Sequence, residues 1–267
     1  MQKTIAFIGV GNMGSAILNG MLKSQSFSPD NIIVFDTDID KCRRFTEMGC
    51  RCAVDAVTAV TRADVVLLAV KPQLIDSVME GFSSSANGKL IISIAAGVTI
   101  DRIAAALPGA LVIRVMPNTP LQVGQGVSAL CRGQNVSDAD YALACRIFSC
   151  SGMIFETTEN LLNPITALTS SSIAYFARFI GDMCAWGKKN GFEDTDALLE
   201  LVCRSAIGTA EMLMQTEFAP DTLEAAVTSP RGTTERAMAV FTERDLGTIV
   251  CDAMDACRAR ADELSGN

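Results

Sequence analysis

Thr4-Ile5-Ala6-Phe7-Ile8-Gly9-Val10-Gly11-Asn12-Met13-Gly14 is a short apolar, β-prone run that passes straight into a Gly-x-Gly-x-x-Gly turn. Ala16, Ile17, Gly20, Met21 and Leu22 then recur at helical spacing, so the stretch predicts strand, tight turn and helix. In such a turn each glycine has its own task. Gly9 permits the sharp reversal, Gly11 lets a pyrophosphate approach the backbone, and Gly14 allows the helix to pack close on the strand. Phosphates placed there meet the amides of a helix N-terminus. Glycine turns also serve purely structural ends, and context decides between the two. A second strand, Asn31 to Phe35, ends in Asp36, about 20 residues past the last glycine, where a ribose-binding carboxylate belongs.

Strand and helix patterns go on alternating outward from this unit. Ile39 to Met48 reads as a helix, Arg51 to Val54 as a short strand, Asp64 to Val70 as a buried strand and Leu74 to Phe82 as a helix. Leu90 to Ile94 is a strand, Ala95-Ala96-Gly97 a tight turn, and Thr99 to Leu107 a helix that Thr99 can cap. Leu111 to Met116, Val127 to Cys131 and Met153 to Glu156 read as strands, with Asp138 to Phe148 as a helix. The expectation for residues 1–158 is an α/β, Rossmann-like domain with a doubly wound parallel sheet, whose ligands gather at the carboxyl ends of the strands. Three such ends, Gly9 to Gly14, Ala69 to Gln73 and Met116 to Pro120, should converge on one crevice. From residue 159 to residue 267 the pattern is helical throughout: Leu161 to Lys189, Asp194 to Thr216, Pro220 to Val227, Thr233 to Phe241 and Leu246 to Leu264. This all-α domain carries more apolar and small positions than a bundle of its size needs, which points to a homodimer; the alternative is a helical domain that caps the crevice of its own chain.

Composition narrows the chemistry. With a net charge of −8 and a pI of 4.7, the 267-residue chain has no basic footprint for nucleic acid. Its longest apolar runs are of strand length, so no membrane span is expected, and the N-terminus enters strand pattern directly, which predicts no signal peptide and a cytoplasmic location. None of the ten cysteines forms a Cys-x-x-Cys pair, and they read as small apolar residues in a reducing compartment. There is no histidine, hence no metal site of the usual kind and no Ser-His pair. The reaction must need little proton shuttling.

Thr228-Ser229-Pro230-Arg231-Gly232-Thr233-Thr234 lies between two helical patterns. Amides at a helix N-terminus beside several hydroxyls make a preformed nest for an anion. The bland alternative is that Ser229 and Thr233 are helix caps with Pro230 in the first turn.

Gly-x-Gly-Asn-Met-Gly (9–14), Ala-Val-Lys-Pro-Gln (69–73), Met-Pro-Asn-Thr-Pro (116–120) and Thr-Ser-Pro-x-Gly-Thr-Thr (228–234), in this order, closely resemble the pyrroline-5-carboxylate reductase family over nearly the whole chain. That resemblance implies reduction of the cyclic imine 1-pyrroline-5-carboxylate to L-proline with NADPH or NADH, the last step of proline synthesis, by dimers that in some members assemble into larger rings such as decamers. It implies that Thr234 hydrogen-bonds the ring nitrogen, while Ser229 and the amides of Gly232, Thr233 and Thr234 hold the carboxylate. Glu217 matches an acidic residue near the substrate. On the cofactor side it places Ile8, Gly9, Val10, Gly11, Asn12 and Met13, followed by Gly14, at the pyrophosphate. Ala69, Val70, Lys71 and Pro72, with Ala95, Ala96 and Gly97, run along the ribose and nicotinamide, and Met116, Pro117 and Asn118 lie beside the ring.

The sequence also departs from the family. Members that prefer NADP offer hydroxyl or basic groups after the second strand and an Asn where this chain has Ala56; Asp36 would repel a 2′-phosphate, so NADH is the expected preference. Where the family has Ser-Gly-Ser-Gly-Pro-Ala-Tyr, this chain reads Thr169-Ser170-Ser171-Ser172-Ile173-Ala174-Tyr175, and Arg231 replaces the first glycine of the substrate loop, where it can pair with the carboxylate or crowd it. These changes keep two alternatives open, a reductase of a different cyclic imine and a cofactor-binding regulatory relative without turnover. A β-hydroxyacid dehydrogenase would need a lysine on the long helix, and Thr169 to Ile180 has none.

Overall fold

The computed structural model describes residues 3–266. The first strand, β1 (Ile5–Ile8), leads through the glycine turn into α1 (Asn12–Lys23); β2 (Ile32–Phe35), α2 (Ile39–Glu47), β3 (Arg51–Cys52) and α3 (Ala56–Arg62) follow. The alternation continues with β4 (Val65–Leu68), α4 (Ile75–Phe82), β5 (Leu90–Ser93), α5 (Ile100–Ala106), β6 (Leu111–Pro117), β7 (Gly126–Arg132), α6 (Asp138–Ser149), β8 (Gly152–Thr157) and the short α7 (Leu162–Ile165). The strands form one sheet in the order β3-β2-β1-β4-β5-β6-β7-β8, so its first six strands have the strand order of a Rossmann fold.

Both faces of this sheet are covered, which is why its strands are nearly pure apolar runs. Ile5 and Phe7 of β1 face a core with Ile17 and Met21 of α1, Phe45 of α2 and Phe148 of α6. Ala6 and Ile8, the alternate positions, face a second core with Val60 of α3, Met79 and Phe82 of α4 and Ile103 of α5. Thr99 caps α5 as its sequence suggests, its hydroxyl accepting the Arg102 amide at 3.3 Å. The helix α3 has no counterpart among the expected elements; Asp55 starts it by accepting the Thr58 amide at 2.6 Å.

One pairing departs from the expected parallel sheet, and it sets β7 and β8 opposite to the other strands. β7 runs antiparallel to β6, pairing Ile113 with Arg132 and Pro117 with Ser128. The connection from Pro117 to Gly126 is too short for a crossover, and only a reversal fits it. β8 then returns parallel to β7 by way of α6.

Beyond β8 the chain is helical: α8 (Ser172–Lys189), α9 (Thr195–Gln215), α10 (Pro220–Ala226), α11 (Thr233–Glu243) and α12 (Leu246–Ser265). The helix expected from Leu161 runs without interruption from Leu162 to Lys189 but is not α-helical throughout, because a π-helical turn, Thr166–Ser171, lies between α7 and α8. There Thr166 and Thr169 return their hydroxyls to the carbonyls of Leu162 and Ile165, at 2.8 and 3.0 Å, a back-bonding that bends helices.

The strands end at Thr157, beside the expected boundary at 158. By packing, the described residues divide into one compact unit of 3–170 with 257–266 and a second of 171–256, so α12 starts in the second and ends in the first. No helix among the described residues is long and apolar enough to cross a membrane.

Candidate active site

The glycine turn sits where the strand order reverses, between β1 and β4. Gly9 adopts φ +94°, and a β-carbon on it would come within 2.8 Å of the Ala69 carbonyl oxygen. Gly14 is fixed more tightly, since a β-carbon there would lie 2.4 Å from the Gly9 carbonyl oxygen. Gly11 differs from both. A β-carbon at Gly11 would meet no protein atom within 4 Å, so packing inside the chain does not require this glycine, and the room it leaves suits a phosphate group approaching the backbone. Gly11 is also the N-cap of α1 and supplies no side-chain cap, which leaves the first-turn amides available to an anion. The residues present therefore fit a dinucleotide pyrophosphate.

The neighbouring strand ends gather along the same edge. Ala69 follows β4 and donates its amide to the Ile8 carbonyl at 2.9 Å, and Ile94 after β5 donates to the Leu68 carbonyl at 3.1 Å. Gly9 to Gly14, Ala69 to Pro72, Ala95 to Gly97 and Met116 to Asn118 thus all close or follow strands at the same end of the sheet. Asp36, just past β2, is mostly buried. Its carboxylate accepts the amides of Val10 at 2.9 Å and Asp38 at 3.0 Å, and Lys41 Nζ lies 3.6 Å away. Asp36 raises the pKa of Lys41, with Asp38 adding to the effect. Ala56 opens α3 beyond β3, the strand next to β2. Lys71 is exposed and makes no ion pair among the described residues.

Two positions are committed to the protein itself. Met116 packs with Ala129, Leu162 and Ile165. The Asn118 amide donates to the Thr169 carbonyl at 2.9 Å and accepts the Val127 amide at 2.8 Å, so this side chain shapes the loop and has little left for a ring beside it. Ser170 adds a longer bond to the Pro117 carbonyl, 3.4 Å. Ser172 is buried. A cavity of about 880 Å³ meets the glycine turn at Val10, Gly11 and Asn12 and runs along α1 toward α2 and Leu121–Gly124. Neither Asp36 nor Ala69 nor Met116 lines it.

In the second unit, Ser229 to Gly232 form a tight turn closed by the Gly232 amide on the Ser229 carbonyl at 2.9 Å. Pro230 takes the second position and Arg231 the third, where the backbone is left-handed, φ +59°. Such a position favours glycine, and arginine holds it at a cost. The Arg231 amide donates to Glu235 Oε2 at 2.8 Å. Gly232 is the N-cap of α11 with no side-chain cap, so Ser229 and Thr233 are not the helix caps of the alternative reading. Ser229 Oγ rests over Gly232, where a β-carbon would meet it at 2.4 Å. Glu217 is exposed, before α10, and makes no bond to this loop among the described residues.

Elsewhere burial raises the Cys42 thiol to about 12, helped by neighbouring Cys52, and raises Cys50 to about 11, so both are weak nucleophiles. Sequence reasoning missed an ion pair made by a buried arginine. Arg114 in β6, 2% exposed, meets Glu159 Oε1 at 3.0 Å, and the same oxygen accepts the Ile100 amide at 2.8 Å. An arginine inside an apolar strand run was the only signal of it.

Comparison with known proteins agrees with this arrangement. Residues 159–264 match the family described as pyrroline-5-carboxylate reductase dimerisation, and residues 4–97 match NADP oxidoreductase coenzyme F420-dependent. The chain is 35% identical over 268 residues to a pyrroline-5-carboxylate reductase of Escherichia coli, covering 99% of each. Among solved structures, a pyrroline-5-carboxylate reductase from Coxiella burnetii is 32% identical with a TM-score of 0.90, covering 99% of each chain. One from Plasmodium falciparum, with NADP bound, shares the fold at 24% identity and a TM-score of 0.91, covering 99% of this chain and 98% of that one.

Proposed function

The chain belongs to the pyrroline-5-carboxylate reductase family, and we propose that it reduces 1-pyrroline-5-carboxylate to L-proline with a hydride from NADH or NADPH, the last step of proline synthesis. The observation that carries the substrate side is the loop 228–234. The hydroxyls of Ser229, Thr233 and Thr234 make no hydrogen bond among the described residues, and they stand beside uncapped amides of α11. Unspent donors next to free amides suit a carboxylate.

The chemistry asks little of a histidine-free chain. The bound nicotinamide supplies the hydride. The imine nitrogen is basic enough to arrive partly protonated, and the Thr234 hydroxyl hydrogen-bonds it. Ser229 and the amides of Thr233 and Thr234 hold the carboxylate, the Gly232 amide being engaged by the Ser229 carbonyl. Arg231 is in the same loop, and Glu217 is a further acidic contact for the substrate. Alignment of the imine carbon with the nicotinamide carries most of the rate.

For the cofactor, Gly11, Asn12 and Met13 receive the pyrophosphate, and Asp36 hydrogen-bonds the ribose. Asp36 opposes a 2′-phosphate and Ala56 offers it no donor, so NADH is the preferred reductant. Phe176, Phe179, Met183 and Trp186 recur along α8 and are exposed, an apolar stripe that a second copy would cover in a homodimer. Light scattering distinguishes that dimer from a larger ring. The cytoplasm, where ten thiols stay reduced, is the compartment we assign.

The test follows NADH and NADPH oxidation at equal concentrations with 1-pyrroline-5-carboxylate as acceptor, for wild type and Thr234→Ala. Turnover that falls about 10- to 100-fold in the variant, the loss expected for a hydrogen bond to a charged group, is the expected result. Binding of a cofactor without turnover of five- or six-membered cyclic imines would instead favour the regulatory relative.

A further inference from the structure

Glu159 and Asn163, four residues apart just after the last strand, hold two distant elements. Glu159 accepts the Ile100 amide and so fixes the start of α5. Asn163, on α7 and 8% exposed, donates from Nδ2 to Asp262 Oδ1 at 2.8 Å and to Ser265 Oγ at 3.1 Å, and so fixes the last turn of α12. That last turn is packed against the turn Ala95-Ala96-Gly97. Gly97 is left-handed, φ +74°, and a β-carbon on it would lie 2.8 Å from the Leu264 carbonyl oxygen. The turn's own hydrogen bonds are long, 3.3 Å from the Ala95 amide to Ser93 Oγ and 3.4 Å from the Val98 amide to the Ala95 carbonyl. It is the wall of α12 behind Gly97, more than bonding within the turn, that sets where this backbone lies.

We infer that Asn163 is a positioning residue for the nicotinamide cofactor, acting through the last turn of α12 on Gly97. The inference rests on the reading that the turn 95–97 borders the cofactor. Among the described residues the hydrogen bonds of the Asn163 side chain go to α12. Its loss should therefore alter cofactor binding and spare the imine.

The experiment measures steady-state kinetics with NADH and imine varied in turn, together with melting temperatures, for Asn163→Asp, Asp262→Ala, the exchanged pair Asn163→Asp with Asp262→Asn, and Ala96→Val. Asn163→Asp sets two carboxylates against each other. Asp262→Ala removes the acceptor at a half-exposed helix position where alanine is well tolerated, so this variant folds even if the first does not. Each is expected to raise KM for NADH about fivefold, the scale of one typical net hydrogen bond, while kcat and KM for the imine stay within about twofold. The exchanged pair restores donor and acceptor, and KM for NADH returns to near wild type. A purely structural role would lower the melting temperature with KM for NADH unchanged, and that result overturns the inference, as does failure of the exchanged pair to restore KM. Ala96→Val separates the premise from the inference. If it leaves KM for NADH unchanged, the turn does not border the cofactor and both fall; if it raises KM while the Asn163 and Asp262 variants do not, the inference alone falls.

Discussion

Asp36 accepts the amide hydrogen of Val10 at 2.9 Å, which ties the end of β2 to the middle of the glycine turn. The carboxylate proposed to meet the ribose is thus held in place by the turn proposed to meet the pyrophosphate. Lys41 offsets its charge only in part, because the same ammonium also lies 3.4 Å from Asp38. Asp36→Asn keeps an acceptor for Val10 and removes the charge. A like charge near 4 Å costs roughly 1–4 kcal/mol between bulk-water and surface dielectrics, so kcat/KM for NADPH relative to NADH should rise about tenfold or more. An unchanged ratio would show that Asp36 does not select the cofactor.

Two glycines of the same turn should separate folding from binding. Gly14→Ala drives a β-carbon into the Gly9 carbonyl, and backbone cannot step aside as a side chain would; a loss of about 1–3 kcal/mol in stability is expected. Gly11→Ala meets no protein atom. It should melt like wild type yet bind NADH at least about tenfold more weakly, the β-carbon standing where the pyrophosphate approaches. Thermal melts and fluorescence titration with NADH check the pair, and normal NADH affinity in Gly11→Ala would put the pyrophosphate elsewhere.

Arg231→Gly should stabilise the protein, against the usual effect of introducing glycine. At φ +59° arginine bears left-handed strain that glycine does not, and the gain is expected to reach up to about 1 kcal/mol after glycine's own entropic cost. Urea unfolding measures it. A fall in stability would mean that the guanidinium makes a compensating contact.

Acid should weaken the start of α6. Lys3 Nζ pairs with Asp140 Oδ1, and the Ser137 hydroxyl donates to Asp140 Oδ2 at 2.7 Å; Lys3 first and Ser137 second hold the Asp140 carboxyl below its ordinary value. A carboxyl depressed in the folded state stabilises above its unfolded pKa, near 4, and that stabilisation is lost as pH falls through the folded pKa. Asp140→Asn should cost about 1–2 kcal/mol at pH 7, allowing for the half-exposed lysine, and the gap to wild type should close below about pH 4. Urea midpoints at pH 7, 4 and 3 test the sign, and a gap that widens in acid would refute it.

The parts of the fold that could be read from sequence were those written locally. Thr4 to Gly14 carries strand, turn and helix within eleven residues, and the paired cores follow from apolar runs such as Val65–Leu68, buried on both faces. Direction in the sheet was harder, because β7 reverses only as a consequence of how short the stretch before Gly126 is. α3 is seven residues long and carries Val57, Thr58, Val60 and Thr61, whose β-branches mask its helical period. The π-helical turn lay inside a stretch read as one helix, and its only mark was a run of hydroxyls, Thr166 and Thr169 among them, that bond back to the helix. At the site, the glycines and the hydroxyl loop declared themselves by residue type. Glu159 and Asn163 did not, since what defines them lies 59 and 99 positions away along the chain.

That last span has a bearing on how the protein is made. The first unit is discontinuous, and its second piece, residues 257–266, is translated only after the whole of the second unit. A growing chain can pair β1 with β4 and lay down the sheet early, but the turn at Gly97 waits for Leu264, and Asn163 waits for Asp262, until residues 171–256 have been made. The first unit therefore begins to fold before the second exists and is completed after it, and a lesion in residues 257–266 acts on the part of the molecule that was made first.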